Sequence, residues 1–373
     1  MAESHAIPIL EYGDFSRALH DRAAEQERVI KAQLELTYRC NLHCRHCYTD
    51  PHNDPAFLSR ELSMREILRL LDEMRDIGIV WLNLTGGDIF MHPRFFEIYE
   101  AAHRRGFLLQ LYTNGTLFTR AAIERLRTMP PFTIDISCHS VDETRFDWFT
   151  QVPGSFRAFL RGIDLLRESG LPYGFKTKAM TWNVDELPAI QAFVESQGQR
   201  FTFTTTISPR LNDDCSPLTL RLPPEHIVEL EWTGHEGGHE MPCEIEASTE
   251  APSDRLYRCG CGTDTIHINA WGELGTCTME YEHRLRLHNR SLADAIAELF
   301  STVHRRRYET ASPCRTCQVT AFCDKKPTDA RREYGSAEAP VPHACDLAVG
   351  RAERLGLPLL HPLRLQTTTV PLP

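Results

Sequence analysis

Short apolar segments alternate six times with helix-like segments between residues 33 and 206. The strand-like segments are rich in β-branched and aromatic residues, as expected of buried strands, and they cover 33–38, 79–84, 107–112, 132–137, 173–180 and 200–205. The segment 63–78 is typical of the helices between them, because Ser63 and Glu66 form a capping-box pattern and apolar residues follow at helical spacing. Strands joined through helices form parallel sheets with right-handed crossovers. The sequence therefore predicts an α/β fold that contains a partial (β/α)6 TIM barrel.

The remainder of the chain divides by composition. Pro and acidic residues are frequent in 207–256, and seven of the thirteen cysteines fall between 259 and 345. The stretch HINAWGELGTC is typical of a β-hairpin with its turn at Trp271–Gly272. We predict an N-terminal extension (1–32), the partial barrel (33–206), a linker (207–256), a small cysteine-rich domain with a β-hairpin and helices (257–350) and a C-terminal tail (351–373).

Charge and hydropathy limit the classes of partner. The formal net charge is −10, which argues against nucleic acid held by phosphate contacts. No apolar run approaches the roughly 20 residues that cross a bilayer, and the N-terminus lacks the basic start and apolar core of a signal peptide. We therefore expect a cytoplasmic protein without a membrane or nucleic-acid partner. Disulfides are rare in that compartment, so the thirteen cysteines need another role.

Three cysteines follow the first predicted strand in the string CNLHCRHC. Cys40, Cys44 and Cys47 have a spacing at which three thiolates can bind three irons of a [4Fe–4S] cluster and leave the fourth iron for an outside ligand. The alternative is a structural zinc site, with His43 or His46 as the fourth ligand.

Small and polar residues follow the next three strands. Gly86 and Gly87 let a backbone approach a ligand closely, and Asp88 beside them can accept an ammonium group. Asn114 follows the third strand and Ser137 ends the fourth. Active sites of barrels lie at the carboxyl ends of the strands, although each of these features alone is also a common turn.

Together these features resemble the radical S-adenosylmethionine (SAM) enzymes. The CxxxCxxC after strand one, the Gly-Gly-Asp after strand two, where the family usually has Gly-Gly-Glu, and the serine of strand four all match. The resemblance implies that the open iron binds SAM and that residues 86–88 hold its methionine ammonium. It also implies that Ser137 reaches the ribose and that the backbone at His46 meets the adenine.

Further SAM contacts are expected on the same grounds. Asn114 belongs to the set of polar strand-end groups, and Lys176 and Lys178 project from strand five on one face, so either is a candidate to face the SAM carboxylate. The alternative for both lysines is a solvent-exposed side chain. The resemblance implies reductive cleavage of SAM to a 5′-deoxyadenosyl radical that abstracts hydrogen from a substrate C–H bond.

The second cysteine region resembles the SPASM extension of radical SAM enzymes, which holds one or two auxiliary iron–sulfur clusters. The matching residues are Cys259, Gly272 and Cys277, then the pattern CxxCxxxxxC and a last cysteine. The resemblance implies a complete ligand set for auxiliary cluster II in Cys314, Cys317, Cys323 and Cys345. A zinc ribbon is the alternative for this region.

One departure from the SPASM pattern affects auxiliary cluster I. The family usually has a seventh cysteine at the position of Pro327, which cannot bind a metal. Cys259 and Cys277 remain, with Cys261 as a third ligand; the fourth is then absent, or is Asp324, Cys243 or a substrate group. Of the other cysteines, Cys138 is expected to be a structural core residue and Cys215 a loop thiol.

The resemblance favours an enzyme that modifies a ribosomally made peptide by a thioether or C–C cross-link, epimerisation or oxidation. The expected partners are a precursor peptide, a reductant such as flavodoxin or ferredoxin and, since only 39 residues precede Cys40, a separate leader-binding protein. Sulfatase maturases carry Asp where this chain has Thr278, so sulfatase maturation is a less favoured function than the modification of a ribosomally made peptide. The alternatives are modification of a small molecule, such as a tetrapyrrole side chain or an amino sugar, and a non-catalytic iron–sulfur carrier.

Overall fold

The fold is an open sheet of parallel strands with helices packed on its outer face. The computed structural model describes residues 11–49, 53–233, 254–258, 262–280 and 282–357. In chain order the first part consists of α1 (Tyr12–Glu25), β1 (Lys31–Thr37), α2 (Pro55–Leu58), α3 (Met64–Asp76), β2 (Trp81–Gly86), α4 (Phe95–Arg104), β3 (Leu108–Thr113), α5 (Arg120–Thr128), β4 (Thr133–Ser137), α6 (Glu143–Thr150), α7 (Ser155–Ser169), β5 (Tyr173–Lys178), α8 (Leu187–Ser196) and β6 (Phe203–Thr204). Strands β1 to β6 pair in parallel in their order along the chain. The predicted alternation and the partial barrel are confirmed.

The two faces of the sheet differ in character because strand side chains alternate. Apolar residues such as Leu34 and Leu84 bury one face against helix residues such as Leu70 of α3. The opposite face, which lines the inside of the barrel, carries polar side chains, among them Glu35 and Asn83, both almost fully buried. A polar interior of this kind can bind a polar ligand where the barrel opens.

Helix α3 forms as its sequence predicts. The Ser63 hydroxyl accepts a hydrogen bond from the Glu66 amide, and the Glu66 carboxylate accepts one from the Ser63 amide at 2.9 Å, so the capping box is present. Four apolar side chains of this helix are buried in the core, namely Ile67, Leu70, Leu71 and Met74.

The second part of the chain continues the barrel sheet. Its elements are α9 (Pro224–Thr233), β7 (Thr265–Ile268), β8 (Glu273–Gly275), β9 (Leu285–Arg286), α10 (Leu292–Arg305), α11 (Pro327–Tyr334) and α12 (Pro342–Arg354). The predicted hairpin is β7–β8, and Gly272 in its turn has a φ of +74°, which favours glycine. Because β7 pairs in parallel with β1, the hairpin and β9 extend the sheet to nine strands.

The domain boundaries stay predictions, and the structure describes parts of the segments that they separate. Within the extension, α1 packs against the start of the barrel, where the Trp81 indole donates a hydrogen bond to the Tyr12 hydroxyl at 2.8 Å. Residues 234–253 of the predicted linker and 358–373 of the predicted tail lie outside the described residues. Among the residues that are described, no helix is long and apolar enough to span a bilayer.

Candidate active site

Three thiols of the loop after β1 lie at the carboxyl end of the parallel strands. Cys40, Cys44 and Cys47 are all partly exposed. The Leu42 amide donates to Cys40 Sγ at 3.4 Å, and the Cys47 amide donates to the Cys44 carbonyl at 3.0 Å. Asn53 closes the loop, because its side chain exchanges hydrogen bonds of 3.1 and 2.7 Å with the Cys40 backbone.

Neighbouring elements fix the far side of this loop. The His43 and Arg45 amides donate to the Thr150 and Phe149 carbonyls at the end of α6, at 2.9 and 3.1 Å. Arg210 donates to the Cys47 carbonyl at 3.1 Å. The backbone is thus held on two sides, which is what a preorganised metal site requires.

The chemistry of the three thiols fits a cationic cluster. Burial raises the pKa of each of them, to about 12 for Cys40, and the charges of neighbouring thiols raise the pKa of Cys44 further. Metal ligation needs thiolates, and a bound metal cation deprotonates its thiol ligands outright. In the described part of the chain, no three His, Cys, Asp or Glu side chains converge closely enough to hold one metal ion. Three thiolates that leave one iron open are the donor set of a [4Fe–4S] cluster, and Cys40, Cys44 and Cys47 stay its predicted ligands.

Gly86, the last residue of β2, and Gly87 after it pack directly on the chain that enters the cysteine loop. The Gly87 amide donates to the Thr37 carbonyl and the Asp88 amide to the Arg39 carbonyl, both at 2.8 Å. A Cβ on Gly86 would lie 2.3 Å from the Thr37 carbonyl oxygen, and Gly86 has a φ of +136°. A side chain at this position would therefore push the cysteine loop away from the sheet.

Asp88 connects the ends of two strands. It is fully buried and accepts hydrogen bonds from the Thr113 hydroxyl at 2.7 Å, the Asn114 amide at 2.9 Å and the Phe90 amide at 3.0 Å. Burial raises its pKa. Three protein donors thus occupy most of the acceptor positions of this carboxylate, and its predicted contact with an ammonium group stays a prediction.

Asn114, directly after β3, and Ser137, the last residue of β4, lie at the carboxyl edge of the sheet. The Asn114 side chain donates to Asn41 Oδ1 at 2.9 Å and approaches Cys40 Sγ at 3.9 Å, so it contacts the cysteine loop. Ser137 is partly exposed at the end of β4, opposite Lys176 in the strand register. Their contacts with SAM stay predictions.

His46 has an unsatisfied ring nitrogen inside the site. Its ring lies 4.9 Å from that of His139 and 5.0 Å from that of Phe149, and its buried Nδ1 has no hydrogen-bond partner among the described residues. Burial lowers the pKa of His46 well below its ordinary value and lowers that of His139 to about 3, so both rings are neutral at pH 7. An unpaired buried nitrogen is a feature that a ligand can satisfy.

The two lysines of β5 have different environments. Lys176 is exposed, with its ammonium 3.7 Å from the Asp135 carboxylate. Lys178 donates to the Thr206 carbonyl at 2.9 Å, and its charge lowers the pKa of His46 and His139. Of the two predicted candidates, Lys178 is therefore the one beside the cysteine loop, and Lys176 corresponds to the solvent-exposed alternative.

The sequence did not reveal a buried polar cluster that connects the loop to the hairpin. Glu35 accepts hydrogen bonds from the hydroxyls of Tyr38 at 2.8 Å and Tyr48 at 3.1 Å, and His267 of β7 lies 3.5 Å from it. The signal in the sequence was weak, because Glu35 shares its face of β1 with the polar residues Lys31 and Gln33. His139 was also missed, since nothing in its sequence context marks it.

The four cysteines predicted for auxiliary cluster II come together. Cys314 lies in a 3-10 turn, Cys323 follows another, and Cys345 lies in the first turns of α12. Burial, followed by the charges of the other three thiols, raises the pKa of Cys345 to about 12. Charges of neighbouring thiols also raise the pKa of Cys323, so the four thiols are near neighbours and a donor set that fits a second cluster, whose presence stays a prediction.

The candidate ligands of auxiliary cluster I are less complete. Cys277 follows β8, while Cys243, Cys259 and Cys261 lie outside the described residues. Pro327 is buried as the first residue of α11. Asp324, one candidate for the missing ligand, forms an ion pair with Arg351 at 2.8 Å.

Comparison with known proteins agrees with this geometry. Residues 34–194 match the family model of the Radical SAM superfamily. An AdoMet-dependent heme synthase of Methanosarcina barkeri is 34% identical over 154 residues, which are 41% of this chain and 43% of the relative. The antilisterial bacteriocin subtilosin biosynthesis protein AlbA of Bacillus subtilis is 32% identical over 280 residues, which are 74% of this chain and 59% of the relative. The chain thus spans less than two thirds of the length of these curated relatives.

The fold is shared with a solved structure over a longer stretch. Streptococcus suis SuiB bound to the precursor peptide SuiA superposes with a TM-score of 0.65 at 13% identity, over 91% of this chain and 82% of SuiB. At this identity the likeness establishes the fold alone.

Gly87→Ala is expected to loosen the cysteine loop. The added methyl group would lie 2.3 Å from the Arg39 carbonyl oxygen, and overpacking of this kind typically costs about 1–3 kcal/mol. The thermal midpoint and the iron bound after anaerobic reconstitution should both fall. Gly174→Ala is the matched control, because its Cβ would meet only the Asp135 side chain, at 3.8 Å. Equal iron content in both variants would contradict the proposed role of this contact.

Lys178→Met is expected to remove a pH-dependent part of the stability. Burial lowers the pKa of Lys178 from 10.5 to about 8 in the folded protein, so between these pH values the unfolded chain binds more protons than the folded one. The charged Lys178 therefore lowers the free energy of unfolding by its full amount below about pH 8, and this destabilisation decreases as the pH rises toward 10.5. The difference in Tm between variant and parent should therefore shrink as the pH rises over this range, and a difference that does not change with pH would contradict this account.

Proposed function

This chain carries a domain of the radical SAM superfamily followed by a SPASM-type cysteine region, and we propose that it cleaves SAM reductively and abstracts hydrogen from a substrate C–H bond. The observation that carries this proposal is the cysteine loop after β1, held at the carboxyl end of the sheet by hydrogen bonds from the Gly87 and Asp88 amides and by the close approach of Gly86. Cys40, Cys44 and Cys47 are proposed to hold a [4Fe–4S] cluster.

The bound cluster and SAM together supply the 5′-deoxyadenosyl radical, and the protein has to place and protect it. We propose that the backbone at residues 86–88 orients the methionine part of SAM. Ser137 and Asn114 are proposed to face the ribose side, His46 the adenine, and Lys178 the carboxylate.

Water has to be excluded from such a site, because a loose radical would be quenched. Cys44 packs against an apolar cluster that contains Phe149, Met180 and Ile207, all nearly fully buried. The Trp182 ring stacks on Phe149 at 4.5 Å between centroids. These side chains dry one wall of the site and support the assignment of reactive chemistry to it.

A peptide substrate is supported by how far the similarity extends. The match to the bacteriocin biosynthesis protein covers 280 residues and so extends beyond residue 194, where the family model ends. SuiB, which binds a precursor peptide, shares the fold over 91% of this chain. We therefore propose a ribosomally made peptide as the substrate, with a thioether or C–C cross-link, epimerisation or oxidation as the outcome.

The remaining partners are part of the same proposal. A reductant such as flavodoxin or ferredoxin would supply the electron, a separate protein would bind the leader of the precursor peptide, and both would meet this chain in the cytoplasm, where its thiols stay reduced.

Modification of a small molecule is the second candidate. It is favoured by the similarity to two proteins of M. barkeri, an AdoMet-dependent heme synthase over 154 residues and an Fe-coproporphyrin III synthase that is 29% identical over 244 residues. A precursor-peptide gene beside this one favours the peptide, and a cofactor-biosynthesis cluster favours the small molecule.

Anaerobic reconstitution with iron and sulfide, followed by dithionite and SAM, should yield 5′-deoxyadenosine. The triple variant Cys40→Ala, Cys44→Ala, Cys47→Ala should lose this product and keep auxiliary iron. Cys215→Ala, which changes a thiol outside both predicted ligand sets, should keep both. A fully loaded protein that forms no 5′-deoxyadenosine would instead be an iron–sulfur carrier.

Iron counting tests whether auxiliary cluster I forms. Since Pro327 begins a helix and Asp324 is paired with Arg351, we expect one auxiliary cluster and about eight irons per chain. Cys345→Ser should then lower the count by about four, and Cys277→Ser should leave it unchanged. A count of about twelve irons would show that auxiliary cluster I finds its fourth ligand elsewhere.

A further inference from the structure

Lys325 reaches into the group formed by Cys314, Cys317, Cys323 and Cys345. Its ammonium donates to Cys314 Sγ at 3.7 Å and to the Tyr308 hydroxyl at 3.3 Å. The same ammonium lies 5.2 Å from the centre of the Tyr308 ring, and this tyrosine is 9% exposed. A cationic side chain is thus held beside the Cys314 thiol by a buried aromatic residue, close enough for Cys323 and Cys345 to act on its charge.

The position of Lys325 in the sequence coincides with the departure from the SPASM pattern. Residues 324–327 read Asp-Lys-Lys-Pro at the place that would lead to the seventh cysteine. Asp324 turns to Arg351, and Pro327 begins α11. Lys325 is the residue of this segment whose side chain donates to a thiol.

A cation next to a cluster ligand has a defined electrostatic effect. Reduction adds a negative charge to an iron–sulfur cluster, and a positive charge near it stabilises the reduced form more than the oxidised form. Hydrogen bonds to the ligand sulfurs act in the same direction, and both are recognised determinants of cluster potential. Partial burial strengthens the effect because screening by water is weaker.

We propose that Lys325, positioned by Tyr308, raises the reduction potential of the iron–sulfur cluster held by Cys314, Cys317, Cys323 and Cys345. This inference rests on the proposed function, because it takes these cysteines as cluster ligands. Lys325 is a positioning residue in this account: it acts through Cys314 Sγ and does not bind iron.

Lys326 provides a matched control. It has the same charge and lies next in the chain, but its charge lowers the pKa of Lys178, and among the described residues it forms no hydrogen bond to a thiol. Replacing it changes the net charge by the same amount without removing a donor to Cys314. A difference between the two positions therefore reports the contact itself and not the total charge.

The test measures the midpoint potential of the auxiliary cluster by redox titration monitored with electron paramagnetic resonance. The background is the full chain with Cys40, Cys44 and Cys47 replaced by Ala, so that the first cluster does not contribute to the signal. Lys325→Met should lower the midpoint potential, and Lys325→Arg and Lys326→Met should leave it close to that of the background. Tyr308→Phe should lower it by less than Lys325→Met.

The outcomes separate this inference from the proposed function. About four irons and a cluster spectrum in the background chain establish the auxiliary cluster before any lysine is changed. If Lys325→Met then keeps its iron and its potential, Lys325 points away from the loaded cluster and the inference is wrong. If Lys325→Met loses its iron, Tyr308→Phe provides the test instead. An unchanged midpoint potential in that variant would also overturn the inference. Absence of iron from the background chain would instead contradict the cluster assignment on which the proposal rests.

Discussion

The backbone contact between residues 37–39 and 86–88 is the constraint on which the site depends. It brings the end of β1, and with it the cysteine loop, against the end of β2. Gly86 and Gly87 are needed because a Cβ at either would lie 2.3 Å from a carbonyl oxygen of the other segment. Asp88 then fixes β3 to the same point through Thr113 and Asn114. The ends of three neighbouring strands are thereby held in one arrangement, which positions the loop that carries the three thiols.

The second cysteine region is joined to this arrangement through the sheet. Since β7 pairs with β1, the strand that leads into the cysteine loop also carries the hairpin. Glu35 on β1 accepts from Tyr48, which follows Cys47, and lies 3.5 Å from His267 on β7. Buried polar contacts of this kind are costly when one partner is removed. The position of the hairpin relative to the cysteine loop is therefore specified by the interior of the barrel as well as by its backbone.

Local patterns predicted the elements of the fold, and long-range contacts decided the rest. Ser63, Glu66 and the apolar spacing of α3 were readable because capping and periodicity are properties of one segment. The spacing of Cys40, Cys44 and Cys47 was readable for the same reason. The pairing of β7 with β1 was not, since a strand of four residues does not identify its partner. Nor was the difference between Lys176 and Lys178, which share a face of β5 and differ only in what the neighbouring segments bring to them.

In the segment 324–327, the residues that lead to Pro327 have contacts other than cluster ligation. With cysteine at 327, the chain there would have to reach a cluster; with Pro327, whose missing amide suits the first position of a helix, it starts α11 instead. Asp324 forms an ion pair with Arg351, which also donates a hydrogen bond to Glu231 of α9. Lys325 lies between Asp324 and Pro327 in the sequence, and its ammonium donates to Cys314 Sγ. The missing ligand of one predicted cluster and the cation beside the other therefore lie within the same four residues, and the charge at the auxiliary site has to be considered together with its ligands.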